Sequence, residues 1–242
     1  MFWFRFICCW LAGVGGLVLR GAETSPTGDE PIIIQTPDLN YPREAKLRGM
    51  DGFATVVIEV DENDRLVDWM VIESSHPYFA EGAAEIVQKS TYQAARSEGR
   101  AIPLRAQVPI EFKTDGIVVN SDFQTIVDLY LQGGHPRNKV SRLPTLRELD
   151  GIPVPLEIAP PPFPAELARE GVVGTVVIDF FIDETGAVRM PAIESQAYSE
   201  LGTLALNAVR AWKFAPPMRG GKAVTVRASQ EFRFREGSPV AQ

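Results

Sequence analysis

The chain has almost no cysteine, and what it has sits in one place: Cys8 and Cys9 are the only two among 242 residues. Beyond that segment there is no thiol to form a disulfide or a thiolate metal site. Histidine is equally scarce. His76 and His135 are the only two, each followed by proline and far apart in sequence, and no G-x-S-x-G, H-E-x-x-H or phosphate-loop pattern accompanies them. Both read as loop residues, and catalysis has no candidate residue. An excess of positive charge is also missing: Asp and Glu outnumber Lys and Arg by 31 to 24, for a net charge of −7. Nucleic-acid binding depends on clustered Lys and Arg, and no such run is present.

Long hydrophobic runs are lacking too, with one exception. Arg5 precedes an apolar stretch from Phe6 to Leu19, followed by the small residues Gly21 and Ala22. The stretch is shorter than the roughly 20 residues of a membrane span, so residues 1–22 read as a signal peptide. Cleavage after Gly21 or Ala22 and retention as a short anchor are both compatible with it. Either way the expectation is export from the cytoplasm, with membrane contact only through residues 1–22. The chain as a whole is ordinary for a globular protein, 45% hydrophobic and 23% charged.

After a polar stretch, an ordered unit spans residues 31–113. Pro42 to Gly52 reads as a short helix with proline in its first turn and Gly49 at its left-handed end. Ala54, Val56, Ile58 and Val60 alternate as a strand, Asp61 to Arg65 turn the chain, and Leu66 to Glu73 return as the hairpin partner. Beyond Pro77, Phe79, Ala83, Ile86 and Val87 recur at helical spacing. Ile102 to Phe112 then alternates again, with Leu104, Ala106, Val108, Ile110 and Phe112 on one face. Pro103 and Pro109 cannot donate to a ladder, which predicts an edge position.

Residues 114–150 form a linker with one expected helix, because Ser121 and Gln124 make a capping-box pattern before Phe123, Ile126, Val127 and Tyr130. The second unit, residues 151–236, repeats the first at an offset of 122: Pro42 with Pro164, Gly49 with Gly171, Gly52 with Gly174, Asp61-Glu62 with Asp183-Glu184, Val87 with Val209, Phe112 with Phe234. The alignment slips by one in the second hairpin strand, where Glu73 is answered by Glu194. Shared residues at helix stops, turns and core positions are those that two copies of one fold require. Here the long helix is the more regular, with Leu201, Leu204, Ala205, Ala208, Val209 and Trp212 on one stripe. WKFAPP ends it, a strand from Ala223 to Arg235 closes the unit, and residues 237–242 are a tail.

Two features invite sharper readings. Trp212 and Phe214 end an amphipathic stripe and are assigned to packing. The acidic turn Asp61 to Asp64 lacks the glycine and glutamate of an EF-hand loop and reads as a solvated turn. No cofactor, metal or small-molecule substrate is expected.

The ordered pattern resembles the C-terminal domain of TonB: an aromatic-proline opening (Tyr41-Pro42, Phe163-Pro164), Gly-x-x-Gly before a strand, a hairpin, a Glu-Ser step (Glu73-Ser74, Glu194-Ser195), an amphipathic helix and a W-K-F-x-P close. The resemblance implies an α+β fold in two tandem small domains, each a three-stranded antiparallel sheet with two helices packed on one face. It also implies a non-catalytic periplasmic protein-binding module in transmembrane transport. Partner peptides, among them the TonB boxes of outer-membrane transporters, would add as a strand beside the last strand of the sheet. Carried over, the edge is Val224, Val226, Ala228, Gln230 and Phe232, with Leu104, Ala106, Val108 and Ile110 as its counterpart. The first unit has Ser90-Thr91-Tyr92-Gln93-Ala94 in place of W-K-F-x-P, which favours the second. An alternative is a structural protein whose two units pair edge to edge as a closed pseudo-dimer.

Overall fold

The computed structural model describes residues 32–35, 41–97, 99–114, 116–119, 141–196 and 199–235. The expected linker helix, the N-terminal segment 1–22 and the tail lie outside the described residues. In chain order the strands are β1 (Ile32–Gln35), β2 (Gly52–Val60), β3 (Leu66–Ser74), β4 (Thr91–Gln93), β5 (Ala95–Ser97), β6 (Arg100–Ile102), β7 (Leu104–Lys113), β8 (Gly116–Val119) and β9 (Ser141–Arg142). They continue as β10 (Pro155–Glu157), β11 (Gly174–Ile182), β12 (Val188–Gln196), β13 (Lys213–Phe214), β14 (Met218–Arg219), β15 (Lys222–Ala223) and β16 (Val226–Phe234). The helices are α1 (Arg43–Leu47), α2 (Pro77–Lys89), α3 (Ala165–Arg169) and α4 (Ser199–Arg210), with a 3-10 turn at Leu146–Glu148. Among the described residues no helix is long and apolar enough to cross a membrane.

Local chemistry sets the boundaries. α2 begins at Pro77, whose missing N–H is no loss in a first turn, and His76 caps it by accepting the Tyr78 amide on Nδ1 at 3.3 Å. The histidine thus serves as the N-cap of α2. Gly186 turns the second hairpin at φ +88°, and its carbonyl accepts the Phe214 amide at 2.8 Å. A Cβ there would lie 1.8 Å from the Phe214 carbonyl oxygen, so only glycine fits.

The second sheet has the expected three antiparallel strands in the order β12-β11-β16. The first has the same centre, β7-β2-β3, with two short additions: β8 beyond β7 and β9 beyond β3. The repeat holds residue by residue. All nine pairs joining β2 to β7, from Gly52↔Phe112 to Val60↔Leu104, recur when 122 is added to each number, from Gly174↔Phe234 to Ile182↔Val226. The small β1–β4 and β10–β13 ladders also correspond: Ile33↔Tyr92 becomes Pro155↔Phe214.

The sequence slip in the second hairpin strand has no structural counterpart. Thr55 pairs with Glu73, and Val177 pairs with Ser195, still 122 apart, while Glu194 is the residue passed over at a bulge. What differs is a second bulge. In the first unit it falls between Glu59 and Val60, in the second between Asp179 and Phe181, and there Met190 takes φ +45°.

Each sheet carries its long helix on one face. The first core joins Val56, Ile58 and Val60 to Phe79, Ile86, Val87, Ile110 and Phe112. The second joins Val176, Ile178, Phe180 and Ile182 to Leu201, Val209, Trp212 and Phe234. Trp212 is core as expected, and its indole N–H donates to the Ala159 carbonyl at 2.8 Å.

The opposite, helix-free faces meet each other. Val57 of β2, Phe181 of β11 and Met190 of β12 form a third buried cluster, with Met70, Ile72 and Leu143 packed around it. Ion pairs surround it: Arg105 with Asp179, Arg189 with Asp68, and Arg210 with Glu59 at 3.7 Å. Among the described residues no strand of one sheet pairs with a strand of the other. The two units therefore join face to face, in place of the edge-to-edge pairing raised as the alternative. The apolar residues at odd positions, Val57 and Phe181, are why: each sheet has two apolar faces to cover and one layer of helices.

Candidate partner-binding edge

Apart from the exposed Gln230, β16 alternates between packed and exposed side chains. Val226 and Phe234 are buried in the second core, and Ala228 and Phe232 pack against it. Phe232 meets Trp212 with ring centroids 5.6 Å apart, and Phe234 meets Phe163 at the same separation. The intervening Arg227, Ser229, Glu231 and Arg233 are exposed on the other face.

Backbone direction follows from two hydrogen bonds. In an antiparallel strand the N–H and C=O of one residue point to the same edge, and successive residues alternate. The Asp183 amide donates to the Ala187 carbonyl at 3.0 Å, so odd residues at the end of β11 face the hairpin and even residues face β16. The first unit agrees: the Ser75 amide donates to the Phe53 carbonyl at 3.0 Å, which turns the even residues of β2 toward β7. Through the registers Ile182↔Val226 and Ile178↔Gln230, the even residues of β16 spend their backbone groups on β11. The odd residues Arg227, Ser229, Glu231 and Arg233 direct theirs outward.

This sorts the expected site residues. Val226, Ala228, Gln230 and Phe232 lie in β16, with amides turned inward and all but Gln230 contributing side chains to the core. Val224 precedes the strand, and its amide donates to the Pro217 carbonyl at 2.9 Å. The outward backbone groups belong to the polar residues between them. A sequence reading follows the apolar alternation and so names the packing side of a strand; its exposed amides sit one residue over. Among the described residues no strand pairs with this outer edge, and the 3-10 turn Leu146–Glu148 lies against β16.

The counterpart edge differs. Leu104, Ala106, Val108 and Ile110 lie in β7, with even residues turned toward β2. By the same alternation Pro103 and Pro109 stand on the outer edge, where neither supplies an N–H. β8 covers the end of that edge antiparallel, from Ile110↔Val119 to Lys113↔Gly116.

Electrostatics fix β16 against the rest of the molecule. Asp179 of β11 is buried and accepts from the Arg227 Nε at 2.7 Å and from Arg105 of the first unit. Arg105 also donates to the Met190 carbonyl at 2.8 Å, and its guanidinium lies 5.6 Å from the centre of the Phe181 ring. The Met190 bulge turns that carbonyl out of its ladder and toward the arginine. On the far side, Glu148 closes a capping box with Thr145, and the Thr145 amide and hydroxyl, with Arg142, hold its carboxyl down to about 2. Asp150 accepts the Gly220 and Gly221 amides at 2.7 and 2.9 Å. These contacts lead residues 141–150 from β3 of the first sheet to the β14–β15 ribbon of the second.

Among the described residues no group of three or more His, Cys, Asp and Glu could hold a metal ion. Along its outer edge β16 presents backbone groups that no described strand meets.

Comparison with known proteins follows the repeat. No curated protein matches the chain. A solved structure, the solution NMR structure of the Pseudomonas aeruginosa TonB CTD, is 27% identical and matches over 39% of this chain and 95% of its own, with a TM-score of 0.33. The family described as Gram-negative bacterial TonB protein C-terminal matches twice, at residues 37–114 and 159–235, together more than half of the chain. The first segment holds α1, α2, β2, β3 and β7 and the second α3, α4, β11, β12 and β16, and the chain accordingly belongs to the TonB C-terminal family, whose domain it carries in two tandem copies.

Proposed function

We propose that this protein is a non-catalytic binding module of the cell envelope, periplasmic in location, that takes extended segments of partner proteins by strand addition along the outer edge of β16. TonB boxes of outer-membrane transporters are the partner class that family membership suggests, and transmembrane transport is the process. The observation that carries this reading is the row of outward amides at Arg227, Ser229, Glu231 and Arg233, which no described strand meets. Strand addition draws on main-chain hydrogen bonds and asks little of side chains, which suits a plain, polar edge.

Proline at an outward position tests it. Ser229→Pro and Glu231→Pro each remove one outward N–H at an exposed side chain and leave the inward ladder and the core in place. Each should abolish binding of a synthetic TonB-box peptide, measured by titration calorimetry, while circular dichroism stays that of the wild type. Val226→Pro is the wrong probe, because Val226 is buried and its amide faces β11. Undiminished binding in both folded proline variants would remove β16 from consideration.

A further inference from the structure

Exposed apolar side chains gather in one place. Six of the nine large apolar side chains exposed among the described residues are Leu146, Ile152, Val154, Leu156, Ile158 and Met218. Surface hydrophobics scattered singly are ordinary, whereas a contiguous patch marks a contact with another body. Contiguity here follows from the backbone. The Asp150 amide donates to the Met218 carbonyl and the Ala215 amide to the Val154 carbonyl, each at 2.7 Å, and Glu157 pairs with Lys213. Residues 150–157 thus run antiparallel beside 213–218 as one ribbon. Alternate residues of an extended chain share a face, and Ile152, Val154, Leu156 and Ile158 are all more than half exposed, up to 86% at Ile152.

The backbone of this ribbon suits an apolar surrounding. Pro153 and Pro155 carry no N–H and the Val154 carbonyl is already paired, so few polar groups lose water when the ribbon is covered.

The charge around the patch runs against that of the chain. Residues 141–158 and 213–223 hold five cations and three anions in a protein of net charge −7. All three anions are engaged: Glu148 with Arg142 at 3.0 Å and Arg219 at 3.5 Å, Glu157 with Lys213 at 3.0 Å, and Asp150 with the Gly220 and Gly221 amides. Arg147 and Lys222 are exposed and enter no ion pair among the described residues. Arg147 adjoins Leu146, and Lys222 lies opposite Arg219 in the β14–β15 ribbon. An apolar stripe is therefore accompanied by two unpaired cations.

We propose that this ribbon docks on a lipid bilayer with anionic headgroups, its apolar side chains entering the interface while Arg147 and Lys222 meet headgroup phosphates. A second copy of the chain would meet these cations with the same net-positive surface, which disfavours it as the occupant. The contact uses no group of the β16 edge and does not depend on residues 1–22 being retained.

The test places the full chain in bilayer discs of phosphatidylethanolamine and phosphatidylglycerol that include a nitroxide-bearing lipid, and side-chain methyl signals are followed by NMR. Leu47 and Val67 are the controls, because they are comparably exposed but lie on α1 and β3 of the first unit. Ile152, Val154, Leu156 and Ile158 should broaden while Leu47 and Val67 stay sharp. Exchanging phosphatidylglycerol for phosphatidylcholine, or combining Arg147→Glu with Lys222→Glu, should cut the broadening severalfold, since each cation near an anionic surface contributes about fivefold in binding. Ile152→Ser with Leu156→Ser should remove it from Val154 and Ile158 as well, at an unchanged melting temperature. Broadening no greater than that of Leu47 and Val67 would overturn the proposal. Broadening indifferent to lipid charge would overturn the assignment of Arg147 and Lys222 to headgroups. Sharp signals in the discs, with a lipid-free dimer that the two serine substitutions dissociate, would overturn the bilayer and give the face to a second copy.

Discussion

Asp61 illustrates how a residue that invites a metal reading serves a turn. Its carboxylate accepts the Asn63 and Arg65 amides, each at 2.9 Å, and the Arg65 guanidinium at 2.7 Å. The Arg65 side chain, then its amide, hold the carboxyl down from 3.8 to about 2. A carboxylate whose pKa is lowered by folding stabilises the fold above its ordinary pKa, and that contribution fades as pH falls toward the folded value. Asp61→Asn should therefore lower the melting temperature at pH 7, with the difference from wild type shrinking between about pH 4 and pH 2. A difference that persists unchanged at pH 2 would show that the charge is not what holds the turn. Glu59 acts in the opposite sense. Burial pushes its carboxyl up, Arg210 of the second unit pulls it down, and Asp68 raises it. Its folded state favours the proton, so its contribution grows as pH falls through the raised value.

At the scale of elements, the hairpins, the long helices and the strand order follow from local pattern. The period-two stretches became β2, β7 and β11, and the stripe from Leu201 to Val209 became the buried face of α4. Glycine placement was equally legible. Gly49, Gly171 and Gly186 all adopt positive φ. Gly186→Ala should cost more than about 1 kcal/mol in urea unfolding, because it adds a left-handed alanine to a clash with the Phe214 carbonyl. The closing strand was legible only in part. Its start moved from Ala223 to Val226 because residues 218–223 fold back as the β14–β15 ribbon. Its outward side was hidden, since which amides face outward depends on the neighbour that the strand pairs with. β8 and β9 could not be read either: each is short and gains its ladder only from a strand distant from any local signal.

At the scale of the whole molecule, the two copies are held as one body by their helix-free faces. The apolar contact is small, and Asp179 is its electrostatic centre, joining Arg227 of its own sheet and Arg105 of the other. Removing one partner of a buried pair leaves the other charge uncompensated, at a cost of about 3 kcal/mol or more. Asp179→Ala should reduce stability by about that amount in urea unfolding. It should also split the calorimetric transition, with the second unit melting apart from the first. A single unbroken transition at wild-type temperature would mean that the face contact contributes little. Arg227 also extends from β16 into this network and ties that strand to the body of the protein. Under the proposed strand addition, a segment would meet a preorganised strand, which lowers the ordering cost of association.

By itself the sequence determined the elements, their order, the duplication and the family resemblance. These rest on periodicity, on glycine and proline at positions with backbone requirements, and on a constant spacing between copies, all of them local or self-comparing properties of a chain. Only the tertiary structure decided what those elements present to a partner. The pairing registers turned Arg227, Ser229, Glu231 and Arg233 outward, β8 covered the end of one edge of the two, and the sheets met by their faces. Each of these outcomes depends on contacts between residues distant in sequence, such as Arg105 with Asp179 or Ile110 with Val119, whose energies are set only once the chain has folded.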